Sequence, residues 1–383
     1  MKPFALLGAN IVLPDAIVED RALLIADGRI GDLVEAAQVP SDYARFDLGG
    51  GWLLPGFIDT QVNGGGDVLL NDQPTVEGIA AIARAHRRFG TTGLMPTLIS
   101  DDQAVVAAAI ASTERALGEG VPGVLGLHIE GPHLNPAKKG IHLAEKFSRL
   151  DEAAMSLLTA PSLGPRIVTL APELAPDGTI RHLAEAGVLV CAGHSLADYD
   201  QTRRALDEGL AGFTHLYNAM TQLNARAPGM VGAALEDRGT HFGIIADGHH
   251  VHPAALKVAL AARGLDGVML VTDAMPPVGG KMRHFNLMGQ DIRIEDGVCK
   301  GVDGTLAGSA LSMAQAFRNA IGLLGLDMVT ASRLASGNPA DFLRIADRTG
   351  RILPGLQADL AHLDDRLVVR RSWIAGDLSE NGE

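Results

Sequence analysis

Eight short runs rich in Val, Ile, Leu and Gly, at residues 57–61, 93–98, 124–130, 167–171, 188–194, 212–215, 241–247 and 268–273, constrain this chain more than any other feature. They read as buried strands. Between them lie amphipathic stretches at 76–89, 101–117, 151–158, 177–186, 198–208 and 253–262, several opened by Asp or Pro as helix starts commonly are. A further helix is expected over 309–324, after the eighth run. Strand and helix alternating in this way predict an α/β fold of parallel strands with crossover helices. The count of eight favours a closed, TIM-like (β/α)8 barrel over an open sheet.

A barrel of this register gathers the polar residues in one place. Gln61, Glu130, His194, His215, Asp247 and Asp273 all close their strands at the carboxyl end, the face on which barrel enzymes assemble their sites. One carboxylate and two imidazoles, Glu130, His194 and His215, are a ligand set for a divalent ion that keeps a position open for water. A lone strand-end histidine is more often a hydrogen-bonded structural residue, and the chain has 13 histidines. Three ligand groups at equivalent positions shift the balance towards metal. His194 and His215 end adjacent staves roughly 5 Å apart, and the longer Glu130 side chain reaches across from the third strand. Asp273, ending the eighth strand, stands where a carboxylate can take a proton from an attacking water and pass it to a leaving group.

The loop after Glu130, HIEGPHLNPAKKGIH, carries Pro132, Pro136, Gly140 and two lysines, and is expected to fold over a ligand with His142 reaching a substrate carbonyl or hydroxyl. Arg226 and His250 put cationic or donor groups on the same face, and an arginine fork suits phosphate or carboxylate oxygens. Taken alone these two are weak signals. The glycine runs 49–51 and 64–66 do not have the nucleotide-loop spacing ahead of a helix and are assigned to turns. The cluster His249, His250 and His252 is assigned to substrate contact and helix capping.

The flanks differ in style. Short strands around 5–13, 22–25 and 52–54, with a turn at Asp27-Gly28, are matched by similar strands over 351–374. A small β-sandwich domain built from residues 1–54 and 349–383 is expected beside a barrel of 55–348. The Asp296-Gly297 turn, between apolar residues 292–294 and Val298, predicts a hairpin inserted after the eighth strand. The amino-terminal apolar run, broken by Asn10 and Pro14, is too short for a signal peptide or membrane span and reads as a strand.

A net charge of -13 without a dense Lys/Arg stripe argues against a nucleic-acid partner, whereas an anionic small substrate needs only a local positive pocket. Cys191 and Cys299 make no redox or metal spacing and are expected as reduced thiols in the cytoplasm.

The motifs PGFIDTQVNGGG, HIEGPHLNPAKKGIH, CAGHS, THLYNAM, ADGHHVHP, VTDAM and LAGSALSM, in this order, closely resemble the N-acetylglucosamine-6-phosphate deacetylases of the amidohydrolase superfamily. The resemblance runs over residues 52–341 and the split terminal β-domain. It implies hydrolysis of N-acetyl-D-glucosamine 6-phosphate to D-glucosamine 6-phosphate and acetate in amino-sugar catabolism. It further implies metal on Glu130, His194 and His215, acid-base work by Asp273, and help for the acetyl carbonyl from His142. Asn218 and Ala219 of THLYNAM, with Arg226 and His250, match positions that hold the sugar phosphate. The equivalent arginine can come from the neighbouring subunit, which implies a homodimer.

Many superfamily members carry His-x-His at the end of the first strand, where this chain has Gln61 and Asn63. The fourth strand ends at Leu170-Ala171 with no lysine to carboxylate. One ion per active site is therefore expected, with Gln61 hydrogen-bonding the water or a neighbouring group. Zinc is the expected metal, and Fe2+, Mn2+ or Co2+ suit the same ligands. Two alternative substrates remain open, the galacto epimer and a cyclic amide; the phosphate-binding candidates and 4% aromatic content speak against a nucleobase.

Overall fold

The computed structural model describes residues 2–295 and 297–380. Strands Phe57–Val62, Thr91–Ile99, Leu127–Glu130, Arg166–Leu170, Leu189–Ala192, Gly212–Phe213, His241–Ile245 and Val268–Val271 form one sheet in sequence order, every neighbour parallel. A parallel bridge between Val62 and Ala274 brings the last stave to the first, so the sheet closes into a barrel. Burial explains why the runs are apolar throughout. All nine residues of Thr91–Ile99 are buried, one face against the barrel interior and the other against helices, so neither tolerates exposed polarity.

The outer helices follow capping chemistry. Thr75 accepts from Gly78 N and opens Val76–Arg87, Asp151 opens Glu152–Leu158, and Asp198 with Gln201 forms a capping box on Tyr199–Asp207. One helix was not expected. Gly229–Glu236 follows the sixth strand, and all its residues but the last are buried, so the two-faced pattern that marks a surface helix is missing. The helix expected from Ser309 begins instead at Met313, capped by Ser312. Ser309 ends a strand, and its hydroxyl donates to Thr272 O at 2.6 Å.

That strand belongs to an insert larger than a hairpin. His284–Leu287, Gln290–Glu295, Val298–Gly301 and Leu306–Ser309 make a four-stranded antiparallel sheet. Of the expected Asp296-Gly297 turn, Asp296 lies outside the described residues. The apolar side of the insert, Phe285, Leu287, Ile292 and Ala307, packs on Ile99 and Met275 at the barrel mouth.

Both termini supply a second body of two sheets. Phe4–Leu7, Arg21–Ala26, Arg29–Glu35 and Ala44–Asp47 form one, while Asn10–Val12, Ile17–Val18, Trp52–Pro55, Leu360–Leu363, Val369–Ile374 and Asp377–Glu380 form the other. Their shared core contains Leu6, Ile11, Leu23, Ile25, Leu53, Leu360 and Trp373. The single strand expected over 5–13 breaks at Gly8, whose φ of 75° turns the chain from one sheet to the other.

Beneath the barrel mouth, Asp59 is wholly buried and accepts hydrogen bonds from Gln61 N, Thr272 N and the Thr272 hydroxyl, tying the first stave to the eighth. Burial pushes its carboxyl up from 3.8 to about 7, against the lowering effect of those donors. Folding therefore takes up a proton between these values. The stability this contributes is fully present below pH 3.8 and is lost as pH rises through about 7. The Asp59→Asn variant does not titrate, so its stability relative to the parent rises from pH 4 to pH 8, by up to about 4 kcal/mol over three pKa units. Any loss of hydrogen bonding to the new amide is independent of pH, and the slope alone is diagnostic. Parallel denaturant curves at every pH would remove Asp59 as the titrating group.

Candidate active site

Glu130, His194 and His215 converge at the carboxyl mouth of the barrel, each almost fully buried. Glu130 Oε1 is 3.2 Å from His194 Nε2 and 3.0 Å from His215 Nε2, and the two Nε2 atoms are 3.1 Å apart. Ligands 2.0–2.2 Å from a tetrahedral ion lie roughly 3.3–3.6 Å from one another, a few tenths of an ångström wider than the spacing here, so a small outward shift of these side chains would seat a single small cation. The tautomer fits as well. His194 Nδ1 lies 2.8 Å from the carbonyl of Lys138, which can only accept, so Nδ1 carries the proton and Nε2 presents its lone pair to the cluster. This is a divalent metal site by donor chemistry.

Backbone geometry aims these groups. The ladders stop at Ala192, Phe213 and Val271, and the chain then turns through positive φ at His194 (49°), His215 (34°) and Asp273 (52°). Such conformations cost residues with a Cβ roughly 1–3 kcal/mol each and persist where surrounding structure holds them. After Glu130 the turn is made by Gly131 (φ 90°), where a Cβ would run into the Ser100 hydroxyl.

Asp273 is set beside the triad. Its Oδ1 accepts from Asn63 Nδ2 at 2.7 Å and from Gln61 Nε2 at 3.2 Å. Gln61 Nε2 also lies 3.2 Å from both oxygens of Glu130, so the amide bridges the Glu130 and Asp273 carboxylates. Burial, reinforced by the charge of Glu130, pushes the Asp273 carboxyl up to about 6. Burial would raise Glu130 too, but the two imidazoles 3.0 and 3.2 Å away hold it well below the usual carboxylate range. His215 is burdened by burial yet raised overall by Glu130.

His142 lies buried on the loop after Glu130, its ring centroid 4.5 Å from that of His194. Its Nδ1 is 2.8 Å from the Ser100 hydroxyl and accepts the Ser100 backbone N–H at 3.3 Å. A backbone N–H can only donate, so the ring proton sits on Nε2. Burial, and then the proximity of His194, holds this imidazole down to about 3, neutral in ordinary buffers. Ser100 went unremarked in the sequence, although it closes an apolar run just as Glu130 does.

Glu130, His142, His194, His215, Asn218, Ala219, His250 and Asp273 line one cavity of about 400 Å3, within the range of small-molecule sites. Met275 and Thr305, neither singled out from sequence, line it too, as does Lys138, one of the two lysines of the loop after Glu130. Asn218 is braced by its own amide on the carbonyls of His215 and Leu216. His250 Nδ1 is 2.6 Å from Asp247 Oδ2, and Asp247 also accepts from His249 N and His250 N, which fixes the loop. Gln61, a substrate-binding candidate from the sequence, is not part of the lining; it hydrogen-bonds Glu130 and Asp273, which are. Arg226 is exposed and is not part of the lining.

The chain matches the model of the amidohydrolase family over residues 52–379. It is 40% identical to the N-acetylgalactosamine-6-phosphate deacetylase of Shewanella sp. (strain ANA-3), over 98% of this chain and 96% of that one. It is 38% identical to the N-acetylglucosamine-6-phosphate deacetylase of Bos taurus, over 87% and 84%. Among solved structures, a variant N-acetyl-D-glucosamine-6-phosphate deacetylase of Mycobacterium smegmatis in complex with N-acetyl-D-glucosamine-6-phosphate superimposes with a TM-score of 0.91, at 31% identity and 99% of each chain.

Proposed function

The chain belongs to the amidohydrolase family, and from that premise we propose that it hydrolyses N-acetyl-D-glucosamine 6-phosphate to D-glucosamine 6-phosphate and acetate. The observation that carries this reading is the meeting of a Glu-His-His ligand set and a buried, raised carboxyl, Asp273, in one cavity of about 400 Å3. When bound by Glu130, His194 and His215, a divalent ion, proposed to be one zinc per subunit with Fe2+, Mn2+ or Co2+ as acceptable substitutes, supplies Lewis acidity and lowers the pKa of water.

Asp273 takes the proton of the attacking water and delivers it to the sugar nitrogen as the C–N bond breaks. Two amide donors occupy its Oδ1, so Oδ2 is the oxygen free to carry that proton. His142, neutral and protonated on Nε2, donates to the acetyl oxygen as negative charge develops there. Asn218, Ala219 and His250 are assigned to the sugar phosphate. Arg226, exposed outside its own cavity, is assigned to the neighbouring subunit's site in a homodimer. The proposed setting is cytoplasmic; among the described residues no helix is long and apolar enough to cross a membrane.

A second reading, hydrolysis of the galacto epimer, is favoured by the Shewanella relative. Acetate release from both 6-phosphates and from unphosphorylated N-acetylglucosamine tests the two together. Turnover of the gluco 6-phosphate is expected to exceed that of the unphosphorylated sugar by at least about 100-fold in kcat/KM, as loss of a charged anchor demands. A metal-loaded protein that releases acetate from neither 6-phosphate defeats both readings.

A further inference from the structure

Glu173 is a half-buried carboxylate that the chemistry proposed above does not use. It stands in the tight turn Pro172–Leu174, just past the fourth stave. Its two oxygens collect three donors from two other loops. Oε1 accepts from Asn135 Nδ2 at 2.9 Å and from Leu196 N at 2.6 Å, and Oε2 accepts from the Ser195 hydroxyl at 2.6 Å.

Both sets of bonds lead to His194. The first route ends at its ring. Asn135 turns Oδ1 to Ala137 N at 3.0 Å, capping the short turn Pro136–Lys138, and Nδ2 to Glu173; one partner can only donate and the other accepts, so the amide has a single orientation. That turn ends at Lys138, whose carbonyl accepts the His194 Nδ1 proton at 2.8 Å. The second route ends at the backbone. Ser195 and Leu196 directly follow His194, whose φ of 49° is a conformation that a residue with a Cβ keeps only under outside support. Their bonds to Glu173 supply it, together with Ser195 N on Ala219 O at 3.0 Å and Asn135 N on His194 O at 2.9 Å.

Resting on the reading of Glu130, His194 and His215 as metal ligands, we propose that Glu173 is a positioning residue for the ion. One carboxylate braces both the acceptor that orients the His194 ring and the strained turn that carries it. Nε2 is thereby aimed at the cluster before an ion arrives, with its lone pair free and its ring already fixed. Outer partners of this kind are worth about 10- to 100-fold in metal affinity.

The test measures zinc affinity of the full-length protein by competition with a chromophoric chelator, with circular dichroism confirming the fold. Stoichiometric zinc on the parent establishes the metal site independently of Glu173. Glu173→Ala is expected to weaken zinc binding by about 10- to 100-fold. Asn135→Ala keeps the Glu173 charge and removes the bridge to the Lys138 turn; its expected loss is about three- to tenfold, the worth of one hydrogen bond. A purely electrostatic role for Glu173 would leave Asn135→Ala at parental affinity. A purely structural one would lower thermal stability without moving the zinc affinity of the folded chain. Should Glu173→Ala fail to fold, Asn135→Ala decides alone. Parental zinc affinity in either folded variant overturns the proposal and leaves the metal site standing.

Discussion

Asp273→Asn lowers kcat by about 10²- to 10⁴-fold while the protein keeps its metal, the loss general acid-base catalysis predicts. The substitution is nearly isosteric, and its remaining carbonyl oxygen still accepts from Asn63 Nδ2 and Gln61 Nε2, so the seam between first and eighth staves survives. What disappears is the group able to hold a proton in one step and release it in the next. The pH profile changes with it. In the proposed mechanism Asp273 works from its ionised form, so the parent's kcat/KM is expected to fall as pH drops through its pKa; burial lifts that value to about 6, and a cation on the triad would draw it lower. The variant lacks this acidic limb. Near-normal turnover at full metal content would remove Asp273 from the chemistry.

How far the sequence revealed this arrangement depends on what each residue packs against. The eight staves are legible because barrel strands are covered on both faces, so that 167–170 is apolar but for Thr169 and 268–271 is apolar throughout. Glu130, His194, His215 and Asp273 were legible as candidates because a polar residue that ends such a run stands out. At the fifth, sixth and eighth staves the ladders stop two residues earlier, at Ala192, Phe213 and Val271. The left-handed turns that swing the imidazoles over the mouth depend on tertiary support, which has no local signature.

The misses have equally physical causes. Helix Gly229–Glu236 opens on Pro228-Gly229 and buries nearly its whole circumference, so neither a polar cap nor an amphipathic stripe announces it. The insert is larger than its hairpin signal because His284–Leu287 alternates exposed and buried residues in a polar-looking segment. Ser100 and Asn63 matter through partners 42 and 210 residues away in sequence, His142 and Asp273, and such pairings exist only after the barrel closes. Glu173 is similar: its carboxylate accepts from Asn135, the Ser195 hydroxyl and Leu196 N, joining three loops at the mouth.

His215→Ala is expected to abolish both metal retention and turnover. Two ligands, Glu130 and His194, bind a divalent ion far more weakly than three, and the ion is the source of the activated water. Stability falls for a separate reason. Glu130 is buried and held ionised by two imidazoles; with one gone, its burial penalty is less fully offset, a class of change that costs about 3–5 kcal/mol. A metal that binds the parent only in its folded form would add about 4 kcal/mol when free ion exceeds Kd by a thousandfold. Chelation should therefore lower the parent's Tm and zinc should restore it, whereas the variant's Tm, already low, responds to neither. A variant that holds stoichiometric metal and turns over within tenfold of the parent would show that the ion is seated elsewhere, because no rearrangement of the remaining pair regenerates a second imidazole nitrogen at 3.0 Å from Glu130 Oε1.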